Sequence, residues 1–168
     1  MNYLLALVIL IATVLVVRAI LRSGPARAAA LPLPSGVPYV PALPEGESAL
    51  HWSDGARYLV EVVNESRYQA TLKELAGAHG ERAADARYRA MLVPDDRNAY
   101  EDKAVAVFLN GRMAGYLATK DALRFRQRLA AKEMPAALTS CDAIVRGGGM
   151  WQGRHLSYVV VLDIEPFE

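Results

Sequence analysis

Ala104-Val105-Ala106-Val107-Phe108-Leu109-Asn110-Gly111-Arg112-Met113-Ala114-Gly115-Tyr116-Leu117 is the stretch whose reading decides the fold. Two apolar runs of strand length flank Asn-Gly, the residue pair that best accepts positive φ at both centres of a type I′ turn. The stretch therefore predicts a β-hairpin. Upstream, Tyr58 to Val63 (YLVEVV) is β-branched and apolar, a further strand. Arg87 to Val93 (RYRAMLV) alternates, with Tyr88, Ala90 and Leu92 on the inner side, and Pro94 ends it.

Downstream, Thr119 to Lys132 predicts a helix with Thr119 as N-cap, Asp121 in the first turn, and Ala122, Phe125 and Leu129 facing the core. Tyr68 to Ala76 predicts a shorter helix, with Tyr68, Leu72, Leu75 and Ala76 on one face and a stop near Gly77. Ala143 to Val145 and Ser157 to Ile164 supply the last strands, joined through Gly147-Gly148-Gly149. Many short strands with only two helices predict an α+β domain built on a small closed or nearly closed barrel, occupying residues 51–168.

What precedes the domain is of a different kind. Tyr3 to Val17 is unbroken and apolar, and with Arg18 snorkelling the run from Asn2 to Leu21 gives about 20 residues, enough to span a bilayer. Residues 1–22 are thus expected to be a transmembrane helix in contact with lipid. A cleaved signal peptide is the alternative, for which Ala28 to Ala30 would supply the cutting site; the missing positive n-region argues against it. Arg18, Arg22 and Arg27 all flank the C-terminal side, which places the following domain in the cytoplasm of a single-pass inner-membrane protein. Residues 23–50 hold Pro25, Pro32, Pro34, Pro38, Pro41 and Pro44, and predict an extended spacer. Its P-x-x-P spacing could also serve as a ligand for an SH3-type domain.

Charge and composition exclude several functions. The chain of 168 residues has a formal net charge of +1, yet beyond the first three arginines sixteen basic residues face eighteen acids. Bulk positive charge therefore cannot hold a polyanion. The lone Cys141 excludes a disulfide framework and a multi-cysteine zinc site. His51, His79 and His155 show no metal or relay spacing, and no serine sits in a nucleophile elbow. Asp95-Asp96 and Glu101-Asp102 could hold a metal, but carboxylates at a turn serve the backbone equally well. Gly147 to Gly149 could cradle a phosphate, though no P-loop Lys-Ser/Thr follows. The expectation is a non-enzyme without cofactor or metal.

Two features point to a ligand. Tyr100 stands in the polar turn Pro94 to Lys103, where its ring could stack on a nucleobase or fold back over the barrel end. Lys120, Arg124, Arg128 and Lys132 recur at i+4 along the second helix, a basic stripe suited to phosphates.

The run N-A-Y-E-D-K-A-V-A-V-F from Asn98, followed by N-G-R-M-A-G-Y-L, resembles the HIRAN domain, whose hallmark is N-P-Y-D-x-x-A-[VI]-x-V and then x-G-x-x-[VI]-G-[YH]-[LI]. The earlier V-V-N-E-S-R-Y-Q resembles the V-V-G-E-S-x-Y-Q of standalone bacterial members, and G-G-G-M-W-Q-G-R fits as well. The resemblance extends over roughly Tyr58 to Ile164. It implies an OB-like barrel that captures the 3′ end of single-stranded DNA. Carried over, Tyr100 stacks on a terminal base, Glu101 contacts the 3′-hydroxyl and Asn98 heads the turn. Arg67 and Tyr68 form the Arg–aromatic pair of the first strand. Lys120, just after G-Y-L, contacts phosphates; Arg124 and Arg128 join it as candidates from the stripe and not from the resemblance. The chain departs from the pattern at Asn64, Ala99, Glu101 and Ala114. Ala99 leaves the turn less rigid than proline would, and Glu101 reaches one methylene further than aspartate. The expected partner is single-stranded DNA, alongside an unidentified catalytic protein. The competing expectation is a membrane-anchored scaffold or protein-interaction domain without a nucleic-acid ligand.

Overall fold

The computed structural model describes residues 39–167. The expected membrane segment, and the spacer up to residue 38, lie outside the described residues. Among those described, no helix is long and apolar enough to cross a membrane.

Nine strands and two helices make up the described chain: β1 His51–Trp52, β2 Val60–Val63, α1 Gln69–Ala76, β3 Ala84–Pro94, β4 Val105–Leu109, β5 Arg112–Leu117, α2 Thr119–Ala131, β6 Thr139–Gly147, β7 Met150–Trp151, β8 Arg154–His155 and β9 Tyr158–Leu162. A 3₁₀ turn, Glu65–Arg67, leads into α1. The hairpin forms as its sequence dictates. Asn110 and Gly111 take φ of 48° and 74°, and β4 and β5 pair antiparallel from Leu109–Arg112 onward.

Six strands close into an antiparallel barrel, in the order β2, β5, β4, β3, β6, β9 and back to β2. Closure removes free strand edges. One flank of β6 carries β3 along its whole length. The other flank is shared between β1, parallel at Ser140–Cys141, and β9, antiparallel from Ala143 to Gly147. Gly115 is required where β5 meets β2: a Cβ there would lie 2.6 Å from the Val63 carbonyl oxygen. α2 covers the barrel with Ala122, Phe125 and Leu129, all fully buried. Burying Phe125 and Leu129 contributes about 1.5–3 kcal/mol each.

The seam between β2 and β9 is only partly backbone. Main-chain pairing joins Val60 to Leu162 and Glu61 to Val161. Beyond that point two side chains take over. Gln69 accepts from the Tyr158 N–H and donates to its carbonyl, both at 2.9 Å, and Glu65 Oε1 accepts from the Val160 N–H at 2.6 Å. The E-S-x-Y-Q stretch thus acts as a surrogate strand.

Three sequence expectations need correction. Thr119 is the first helical residue of α2; the cap is Ala118, whose carbonyl accepts from the Ala122 N–H and whose side chain caps nothing. The spacer does not run to residue 50. Pro41 is buried, Leu43 packs on an apolar cluster outside the barrel, and Ala49 donates to the Leu138 carbonyl, so 39–50 strap the barrel. The ββ ribbon β7–β8, with its turn at Gln152-Gly153, went unforeseen inside the glycine-rich connection.

Burial pushes the Glu65 carboxyl up to about 7, against the opposing pull of the Val160 N–H. The folded state therefore keeps this proton above the unfolded value of 4.5. The resulting contribution to stability is complete below pH 4.5 and is lost as pH rises through about 7. Glu65→Gln retains the acceptor and cannot ionise. Urea titrations at several pH values are expected to show that this variant lacks the wild-type decline between those limits and is the more stable protein above pH 7.

Candidate functional site at the Pro94–Ala104 turn

The turn between β3 and β4 is braced from within. Asp95 N–H donates to the Ala104 carbonyl at 2.9 Å, and Ala104 N–H to the Glu101 carbonyl at 3.1 Å. Asn98 Oδ1 accepts from the N–H groups of Tyr100 (3.0 Å) and Glu101 (3.2 Å). This Asx turn supplies locally the rigidity that a proline at position 99 would otherwise give. It fixes the backbone of Tyr100, whose ring is 74% exposed. The ring does not fold back over the barrel. Among the described residues nothing pairs with the half-buried Glu101 carboxylate beside it.

Asp95 anchors the turn to the barrel and is itself buried. Tyr39 O–H donates to Oδ1 at 2.7 Å, while Asn98 Nδ2 and the Tyr116 hydroxyl each lie 3.5 Å from Oδ2. Tyr116 and Tyr68 pack in one apolar cluster with Val93, Phe108 and Met113. Burial raises the pKa of Tyr116, Tyr68 and Tyr39, with the Asp95 charge adding to each, so these phenols stay protonated, and those of Tyr39 and Tyr116 face Asp95 as donors. Through Asp95 and Tyr116 the Tyr68 ring is linked to the turn holding Asn98, Tyr100 and Glu101, while Arg67 lies one residue earlier in the 3₁₀ turn and is exposed.

The basic stripe divides differently from its sequence pattern. Lys120 is exposed in the first turn of α2. Arg124 donates to the Phe167 carbonyl, and Arg128 to those of Glu165 (3.2 Å) and Pro166 (3.1 Å). Arg128 also lies 4.6 Å above the Phe167 ring. Lys132 stands over Trp52 at 5.8 Å. These side chains clamp the segment 165–167 and the strand β1. Arg124 and Arg128, expected to contact phosphates, are instead engaged by the carbonyls of 165–167. The helix residue that reaches the turn is Arg126, paired with Asp96 and about 160° around the axis from both.

Sequence reasoning missed Asp95, Tyr116, Tyr39 and Arg126. The Asp doublet and the G-Y-L tyrosine carried a signal. Tyr39 and Arg126 carried none, because their contacts cross 56 and 30 residues.

Other candidate chemistry resolves into packing. His51 Nδ1 lies 3.0 Å from Ser140 Oγ, and its Nε2 lies 3.8 Å from Asp142, an association that residue spacing hides. Ser140 is 1% exposed, and its hydroxyl also meets Ser48 Oγ at 2.9 Å, so the group fastens the strap to β6 and offers no accessible nucleophile. Burial pushes the Cys141 thiol up to about 12, which leaves it unreactive. Gly147 to Gly149 are consumed by close contacts: a Cβ would lie 2.2 Å from the Ser157 oxygen at Gly147 and 2.2 Å from the Tyr158 ring at Gly148. Among the described residues no three His, Cys, Asp or Glu side chains gather as metal ligands.

Comparison with known protein families, curated proteins and solved structures finds no match to this chain.

Asp95→Ala strips the acceptor from Tyr39 and from the turn, and is expected to cost about 1–3 kcal/mol. Asp96→Ala breaks a pair whose acid is 61% exposed and is expected to cost less than about 1 kcal/mol. Parallel urea denaturation of the two variants checks the order.

Proposed function

We propose that the chain is a membrane-tethered, non-catalytic module of the HIRAN type, with an OB-like barrel that binds the 3′ end of single-stranded DNA. The observation carrying this reading is the Tyr100 ring, exposed on a backbone that Asn98 holds, with the Glu101 carboxylate next to it. A rigidly presented aromatic supplies a base-stacking platform worth about 1–3 kcal/mol. The neighbouring carboxylate accepts a hydrogen bond from a terminal hydroxyl, and it repels a terminal phosphate. That pairing of stacking with charge makes the site selective for a free 3′ end. Tyr68 offers a second ring, half-buried against Tyr116, and the exposed Arg67 a phosphate contact. Lys120 is exposed and is not engaged by the 165–167 segment, so it remains in the set. Arg124 and Arg128, occupied by 165–167, contribute long-range charge at most. The apolar segment of residues 2–21 anchors the module in the inner membrane, with the barrel in the cytoplasm.

A second reading, a membrane-anchored interaction scaffold, has its own observation. The β7–β8 ribbon exposes Trp151 at 65%, with Met150 and Leu156 beside it.

Fluorescence anisotropy on the full chain in detergent micelles separates the two. Strands ending in 3′-hydroxyl are expected to bind more tightly than strands ending in 3′-phosphate. Tyr100→Ala is expected to weaken the former about 5- to 100-fold. Affinity should fall by about 0.7 log per log of salt for each phosphate neutralised. Equal weak binding to every end, unchanged by Tyr100→Ala, favours the scaffold. A reporter fused after Glu168 is expected to be active in the cytoplasm; activity outside the membrane removes access to DNA.

A further inference from the structure

Away from the turn, an open groove of about 430 Å³ lies beside β3 and β6, lined by Tyr58, Arg87, Tyr88, Arg89, Asp142 and Ala143. The period-two alternation of β3 turns Arg87 and Arg89 outward while Ala86, Tyr88 and Ala90 face the core. In the register, Arg89 stands opposite Asp142 and Arg87 opposite Ile144, so only one of the two arginines faces an acid across the ladder. Asp142 itself is turned towards His51, 3.8 Å away. Further along the same face Arg146 stands opposite Asp85. Among the described residues neither Arg87 nor Arg89 forms an ion pair, which leaves two planar guanidinium forks side by side.

The fourth wall is unusual. Tyr58 has φ of 51°, a left-handed conformation that a bulky side chain rarely adopts, and Ala56 nearby has φ of 63°. The loop is forced into this shape. Ser53 Oγ donates to Asp163 Oδ2 at 2.7 Å, Asp54 N–H donates to Oδ1 at 3.1 Å, and Arg57 pairs with Asp54. Asp163 is 2% exposed, so the anchor is firm. Tyr58 belongs to neither apolar cluster, so its ring is not held there to fill the core. Strained residues cluster at ligand sites, and here the strained Tyr58 lines the same groove as two arginines without an ion pair.

We propose that this groove binds a nucleoside phosphate, with the base against the Tyr58 ring and the phosphate on Arg87 and Arg89. The site is separate from the Tyr100 turn and does not depend on the reading given to that turn. The same chemistry is offered by a free mononucleotide and by an internal nucleotide of a longer strand.

Isothermal titration of the full chain in micelles with adenosine monophosphate, adenosine and inorganic phosphate tests the site. Adenosine monophosphate is expected to bind at least tenfold more tightly than either part alone. Arg87→Ala and Arg89→Ala are each expected to weaken it tenfold or more. Tyr58→Asn keeps a residue that tolerates positive φ; it is expected to preserve or raise the melting temperature while lowering the affinity tenfold. Tyr100→Ala is expected to leave this affinity unchanged, which separates failure here from failure at the turn. An oligonucleotide blocked at both ends identifies the source: competition with adenosine monophosphate assigns the groove to a strand, and lack of competition to a free nucleotide. Adenosine monophosphate binding no better than phosphate overturns the proposal. So does Tyr58→Asn lowering the melting temperature with the affinity unaltered.

Discussion

Closure of the barrel rests on β9 finding hydrogen-bond partners along both of its edges. On one side β6 supplies a full ladder. On the other, β2 is too short, and two side chains, Glu65 of the 3₁₀ turn and Gln69 at the start of α1, finish the work. An unpaired buried amide costs more than a made hydrogen bond returns, so the Glu65 and Gln69 contacts are constraints on the whole fold. They also fix where Arg67 and Tyr68 stand, because those residues lie between them in the chain. The closing of the sheet and the placing of Arg67 and Tyr68 are thus one event.

The other organising group is Asp95. It ties a loop tip to the strap at Tyr39 and to the barrel at Tyr116, and so converts a polar connection into a fixed platform. Tyr100 projects from that platform into solvent, while Tyr68, Tyr116 and Phe108 pack together in the apolar cluster. Exposure of a large aromatic on a braced turn is a different matter from exposure on a mobile loop, since a stacking partner then meets a ring already ordered.

Short-range chemistry was readable in the sequence. The Asn110-Gly111 hairpin, the alternation of β3 and the core face of α2 all follow from local period and turn preference, and all three stand in the structure. So does closure of many short strands into a barrel. What escaped were features set by distant contacts. Residues 39–50 look like a spacer because of their prolines, yet Pro41 and Leu43 find apolar surface on the barrel exterior. The i+4 basic stripe is real as a pattern, but Arg124 and Arg128 are drawn to carbonyls about 40 residues away in sequence, which no helical wheel displays. Arg126, off the stripe, is the one that reaches the turn. The exposed Tyr100 and its carboxylate neighbour were legible because the motif is contiguous; the Asp95 network that holds them was not.

The central claim, that a free 3′ end lies against the Tyr100 ring, is tested most directly by photo-crosslinking. A single strand carrying a photoactivatable thymine at its 3′ terminus is irradiated with the full chain, and the adduct is located by mass spectrometry. The account expects the adduct at Tyr100 or its immediate neighbours in the 98–101 turn. An adduct confined to the Arg124–Arg128 face of α2 or to the Trp151 ribbon, with none in that turn, would contradict it.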